Sequence, residues 1–166
     1  MIYQKTRTLQ QCAAAQIEAN ANLTTLFGQK DGPLSPLEIK RLNSKLTWIT
    51  IQSGAEIFFH KIKFGRPRPY ITHSEIKPCI DLENTKSYPS GHAAISRMYA
   101  RILSVIYPER ALLFLKRADQ SAINRLIGGV HYPSDVAAGK VLGDAMADVY
   151  LADNDIFYNL SILPHK

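Results

Sequence analysis

The sequence predicts an all-α chain, folded over residues 1–166 as a compact single-domain bundle of about five or six helices. Three observations carry that expectation. Apolar residues recur at spacings of three and four over most of the chain. Helix start and stop signals punctuate it throughout. No segment alternates apolar and polar residues convincingly enough to make a strand.

The elements follow in order. A first helix is expected from Thr6 to Phe27, favoured by its alanines, with Gly28 as its stop. Gly32-Pro33 then marks a turn. Ser35-Pro36-Leu37-Glu38 puts Ser at the N-cap, Pro at the first helical position and Glu at the third, which is a capping box. Behind it Leu42, Leu46, Ile49, Ser53 and Ile57 make one face of a helix running to about Lys63. Gly65-Arg66-Pro67-Arg68-Pro69 ends that helix, because a residue before proline is pushed out of the α region. Residues 70–88 form a long loop, a length that inside a compact domain is often functional. A helix is expected from Gly91 to Tyr107, and another from Pro108 to Ile127, closed by Gly128-Gly129. Ser134 caps a last helix whose apolar positions are Val136, Leu142, Met146 and Val149. The stretch from Asp153 has no clear pattern. Trp48 and the Phe58-Phe59 pair are expected in the core.

Composition bounds the function. At 46% hydrophobic and 20% charged residues the chain is globular, which excludes disordered and fibrous classes. Lys and Arg number 20 against 14 Asp and Glu, a net charge of +6 that favours anionic partners. The longest uncharged stretch, Ala19 to Gln29, is rich in Asn, Thr and Gln and far short of the roughly 20 apolar residues that cross a membrane. No transmembrane segment is expected. The N-terminus has no hydrophobic core of a secretory signal. The expectation is a soluble protein, periplasmic if a leader was removed and otherwise cytoplasmic. Cys12 and Cys79 make no disulfide framework and no metal-ligand spacing, and are expected as two unpaired thiols.

Three polar segments fall where helices begin or end. In the first, Lys61 lies in a last helical turn and Arg68 follows in a proline-fixed extended segment. The two cations can converge on one anion, the guanidinium as a planar fork and the ammonium as a point charge. In the second, Pro89-Ser90-Gly91-His92, Ser90 is a natural N-cap and Gly91 lets a ligand approach the backbone. The free N–H groups of such a helix start bind phosphate, and His92 is placed to donate a proton. In the third, His131 and Asp135 are four apart across a helix start. A carboxylate there holds one imidazole nitrogen and leaves the other as base or nucleophile. Arg125 can reach the same space. Each segment alone is also compatible with ordinary capping or a solvated surface. Arg66, outside these spacings, is expected at the solvated surface, as are His60 and His73.

Together the segments, Lys61-x6-Arg68-Pro69, Pro89-Ser90-Gly91-His92 and Arg125-x5-His131-x3-Asp135, resemble the signature of the type 2 phosphatidic acid phosphatase superfamily. That superfamily includes the class A bacterial non-specific acid phosphatases, integral-membrane lipid phosphatases and vanadium-dependent haloperoxidases. One fixed position departs: Asn124 stands where the signature has Ser. A tetrapeptide such as Pro-Ser-Gly-His arises by chance about once per hundred thousand positions at average residue usage, and here three matches fall in order. The signature covers residues 61–135, close to half the chain.

The resemblance implies roles. His131 would attack phosphorus and become a phosphohistidine, with Asp135 orienting it. His92 would protonate the leaving alcohol and then activate water. Lys61, Arg68 and Arg125 would neutralise phosphate oxygens, helped by Ser90 and the Gly91 N–H, as a phosphoryl transition state requires. No metal or cofactor is expected, and phosphate or vanadate would fit the site. The leading expectation is a soluble, metal-independent phosphomonoesterase with an acid pH optimum, acting on a phosphorylated small molecule. Asn124 is expected to tune the site. The alternative is a lipid or polyprenyl (pyro)phosphate phosphatase in peripheral contact with a membrane surface. Vanadate-dependent haloperoxidase chemistry and a non-enzymatic anion-binding module stand further off. Nucleic acid is not an expected partner, because aromatics are not interleaved with the cations. The early helices offer a surface for pairing with a second copy.

Overall fold

The computed structural model describes residues 2–153, so the unpatterned stretch after Asp153 lies outside it. Among the described residues the structure is helical and contains no strand. Helices α1 (Ile2–Thr6), α2 (Leu9–Ile17) and α3 (Leu23–Phe27) precede the long α4 (Pro36–Phe64). A short α5 (Pro69–Thr72) opens the loop that leads to α6 (Gly91–Ile106). A 3₁₀ turn at Pro108–Arg110, α7 (Ala111–Ile127) and α8 (Pro133–Ala152) complete the order.

Helix α6 is the centre of the fold, packed along its length against α7 and α8. Its Met98, Tyr99, Ile102 and Leu103 meet Leu42, Leu46 and Ile49 of α4, Phe114 of α7, and Met146 and Ala147 of α8 in one core. A helix buried along most of its length belongs in the middle of a bundle. Two glycines set how closely α8 approaches α6. A Cβ on Gly139 would stand 2.5 Å from the Ser90 carbonyl oxygen, and one on Gly143 would stand 2.4 Å from that of Ala94. Ser90 opens α6, so this contact fixes the start of α6 against the first turns of α8.

Several expectations change. The expected first helix is three short ones, because Thr8 with Gln11 and Asn22 with Thr25 each form a capping box and start the chain afresh. The last helix is capped at Tyr132, not Ser134. Pro133 takes its first position, and Asp135 at the third accepts the Tyr132 N–H at 2.9 Å. The inward face of α4 is the one the spacing predicts, with Leu42, Leu46, Ile49, Ser53 and Ile57 buried. That leaves Trp48, Phe58 and Phe59 outside, 50%, 55% and 58% exposed, beside exposed Ile51 and Ile62. Val149 of α8 is exposed too.

Cys12 and Cys79 are not free thiols. They form a disulfide, with Cα atoms 5.8 Å apart. Their separation of 67 residues hides the pairing in the sequence. Closing a loop of that length stabilises by about 4 kcal/mol on the chain-entropy account. The bond ties α2 to the loop before α6. Gln16 holds the same loop through paired bonds to Asp81, at 2.7 and 2.8 Å. Arg7 adds bonds to the Ile127 and Lys77 carbonyls. Among the described residues no helix is long and apolar enough to cross a membrane.

Candidate active site

The three polar segments converge where the end of α4, the start of α6 and the α7–α8 connection meet. Helix α4 stops at Gly65, whose φ of 58° is the left-handed conformation that glycine adopts at little cost. Lys61, one turn earlier, is buried, and its Nζ donates to the Lys86 carbonyl at 2.6 Å. Burial and then the neighbouring Arg68 push its ammonium down to about 8.

Arg68 follows in extended backbone before Pro69. Its guanidinium is buried and fully used. Nε donates to the Thr85 carbonyl, Nη1 to the Val130 carbonyl at 3.0 Å and to His131 Nε2 at 2.9 Å, and Nη2 to Glu83 and to Thr85 Oγ1.

This contact sets the tautomer of His131. A guanidinium only donates, so Nε2 must carry a lone pair. The ring proton is then on Nδ1, which faces Asp135 Oδ2 at 3.2 Å. Burial pushes the imidazole down to about 3, against the Asp135 bond that raises it. The ring is therefore neutral above that pH, with a lone pair on the nitrogen that faces the cations.

Asp135 is completely buried and saturated with donors. Oδ2 accepts from Ser87 Oγ at 2.5 Å and from the Tyr132 N–H, and Oδ1 accepts from Arg66 Nη1 at 2.8 Å. Burial alone would raise its carboxyl. The bonds from His131, Ser87 and Tyr132 override that and lower it.

Ser90 caps α6, its Oγ accepting the Ala93 N–H, and its own N–H donates to the Asp135 carbonyl. Gly91 is the first residue of α6, and a Cβ there would meet Ile57 of α4 at 3.4 Å. His92 Nε2 faces the Ala19 and Glu18 carbonyls at 2.8 and 3.1 Å, so that nitrogen carries the proton. Burial and then Arg125 push its imidazole down to about 4.

Arg125 comes from the last turn of α7. Its Nη2 donates to Glu83, while Nε and Nη1 are buried without a hydrogen-bond partner among the described residues. Asn124, the departure from the signature, turns away. Its amide donates to Glu18 Oε2 at 3.1 Å and accepts from Gln120. Glu18 also pairs with Arg117. Asn124 thus braces the segment whose carbonyls hold His92.

All eight sequence-predicted residues lie in this region, while His60 and His73 pair with Glu56 and Glu75 elsewhere. Sequence reasoning missed four more. Arg66, expected in solvent, bonds Ser134 and Asp135, and its guanidinium stacks 4.0 Å over the Tyr132 ring. Ser87 bonds Asp135, and Thr85 and Glu83 bond Arg68. The signal for Glu83 was an acid inside a long loop between two basic motifs. Nothing in the spacing marked the others.

Comparison with known proteins places this geometry. The model of the PAP2 superfamily matches residues 44–155. A non-specific acid phosphatase of Salmonella typhi is 42% identical over 86 residues, covering 48% of this chain and 34% of its own length. An acid phosphatase of Zymomonas mobilis is 32% identical over 99 residues, covering 57% of this chain and 38% of its own. A lipid A 1-phosphatase of Rhizobium johnstonii is 27% identical over 111 residues, covering 64% and 46%. The chain spans about a third of the length of the acid phosphatases it matches. With the family model covering most of the described residues, the chain belongs to the PAP2 superfamily.

Proposed function

We propose that the chain is a metal-independent phosphatase of phosphate monoesters, working through a phosphohistidine on His131 with an acid pH optimum. One observation carries the reading. His131 Nε2 presents a lone pair beside Arg68, while Asp135 holds the proton on Nδ1. A nucleophile needs that arrangement, and an anion site alone does not.

The steps follow from the chain's own groups. A phosphoryl group displaces the Arg68 bond and brings phosphorus to Nε2. Arg68, Arg125 and Lys61 neutralise its oxygens, and Arg125 brings Nε and Nη1, which have no partner among the described residues. The N–P bond forms as the ester P–O bond breaks, and the imidazolium charge that develops is met by Asp135. His92 supplies a proton to the leaving oxygen and takes one from the water that cleaves the N–P bond. Its low pKa favours the protonated form only in acid, which supports the proposed acid optimum.

The test is p-nitrophenyl phosphate hydrolysis from pH 4 to 8, with and without EDTA and orthovanadate, for wild type and His131→Ala. Activity should survive EDTA, fall with vanadate and vanish in the variant. Loss with EDTA, or full activity of His131→Ala, would refute the mechanism.

A second reading has its own support. The outward face of α4 carries Trp48, Ile51, Phe58, Phe59 and Ile62, all exposed, and a lipid phosphatase working at a membrane surface would use such a face. Co-sedimentation with anionic vesicles separates the two. Binding abolished by Phe58→Ser with Phe59→Ser favours the lipid substrate, and no binding favours the soluble ester.

A further inference from the structure

The Glu83 carboxylate has no role in the mechanism above, yet it stands in the middle of the site. Its two oxygens bridge Arg68 and Arg125, at 2.6 Å to Arg68 Nη2. The charges that hold its carboxyl low are chiefly those of Arg68 and Arg125, and His92 and His131 stand near enough to add theirs when protonated. Both arginines are 1% exposed, and Glu83 is 27% exposed.

Three features distinguish it from a structural brace. Arg68 does not need it, since the Thr85 and Val130 carbonyls and Thr85 Oγ1 already hold that guanidinium. Arg125 is under-served by it, with Nε and Nη1 buried and without a partner among the described residues. And the carboxylate can leave alone. The backbone around it is pinned by Tyr70 Oη on the Glu83 carbonyl and by the disulfide at Cys79. The side chain borders a cleft of about 380 Å³ lined by Tyr70, Ile71, Leu82 and Lys86.

We infer that Glu83 is an internal competitor for the phosphoryl position, a specificity-determining residue that admits only anions able to outbid a tethered carboxylate. The inference rests on the phosphatase reading of the site. At neutral pH, above its second pKa of about 6, a phosphomonoester dianion brings three terminal oxygens and two charges, enough to take both arginines, the unpartnered Arg125 nitrogens and Lys61 together. A diester monoanion offers two oxygens and one charge, no more than Glu83 already supplies. If the carboxylate occupies the position nine-tenths of the time or more, it raises the apparent Kd of a competing anion about tenfold or more.

The experiment is isothermal titration of the full chain with inorganic phosphate and with dimethyl phosphate at neutral pH. Wild type is compared with Glu83→Gln and Glu83→Asp. Folding is checked by circular dichroism, and kcat and KM are measured on p-nitrophenyl phosphate. Glu83→Gln is expected to bind phosphate about tenfold more tightly, to gain measurable affinity for dimethyl phosphate, and to lower KM by a larger factor than it changes kcat. Glu83→Asp keeps the charge but reaches one arginine less well, and is expected between the two. It carries the test if Glu83→Gln does not fold. Phosphate binding no tighter than wild type in a folded variant overturns the inference and leaves the phosphatase reading intact. Failure of wild type and variants alike to bind phosphate overturns both.

Discussion

At the scale of residues, the account turns on who donates to whom around one imidazole. Arg68 can only donate, so His131 Nε2 accepts, and the ring proton goes to the side of Asp135. Asp135 is in turn fixed by Ser87, the Tyr132 N–H and Arg66. Arg66 bonds Ser134 and Asp135 and not His131, so it is expected to act through Asp135. Arg66→Ala is expected to lower kcat about 10- to 100-fold by loosening that carboxylate, with KM little changed and Arg66→Lys recovering part of the loss. Steady-state kinetics decide the role. A raised KM with kcat intact would make Arg66 a phosphate ligand instead. The eight motif residues of the candidate site were legible because the role proposed for each restricts residue type and spacing. Arg66 was not, because its role depends on Tyr132 and Asp135, which lie 66 and 69 positions away in the chain.

At the scale of elements, the start of α6 is held by its contact with α8. Gly139 faces the Ser90 carbonyl with no room for a methyl group. Gly139→Ala is therefore expected to destabilise by about 1–3 kcal/mol, the usual cost of overpacking. It should also lower activity, because Ser90 moves and with it the bond from its N–H to the Asp135 carbonyl. Thermal melts and kcat should fall together in this variant. A melting temperature equal to wild type would show that α6 and α8 can separate freely. Sequence periodicity found α4, α6, α7 and α8 to within a few residues, since each is long and bounded by Pro, Gly or a capping residue. It did not find the role of Gly139, because a helical glycine looks only like lost helix propensity until its neighbour is known. The expected first helix failed for a local reason. Two capping boxes competed with the alanine pattern and won.

At the scale of the whole molecule, stability and the proposed acid optimum pull in opposite directions with pH. His131 and His92 are held at about 3 and about 4, below the ordinary 6.5. Between about pH 6.5 and 4 the unfolded chain takes up protons there that the folded chain refuses, so stability falls as pH falls through that window. Glu83, held at about 2 against an ordinary 4.5, adds stability that is present above 4.5 and lost as pH falls toward 2. Calorimetric melting temperature is expected to drop steadily from neutral pH to pH 4, and less steeply in His131→Ala. Equal slopes in the two proteins would mean that burial of the imidazole is not what couples folding to pH. The long-range ties were the least legible layer. Nothing in the spacing of Cys12 and Cys79, or in Glu83 and its two arginines, shows that the loop before α6 folds back over α2 and into the site. Helical spacing did pick the face of α4 that is covered, but it gave no sign that Trp48, Phe58 and Phe59 on the other face stay outside.

The central claim is a covalent bond between phosphorus and His131. Its most direct measurement is rapid acid-free quenching of the enzyme during turnover of a phosphomonoester, followed by peptide mass spectrometry at alkaline pH, where phosphohistidine survives. A phosphoryl group is expected on the peptide carrying His131, accumulating in His92→Ala, where its hydrolysis is slowed, and absent from His131→Ala. A turning-over enzyme with no phosphorylated histidine, or with the phosphoryl group on another residue, would contradict it.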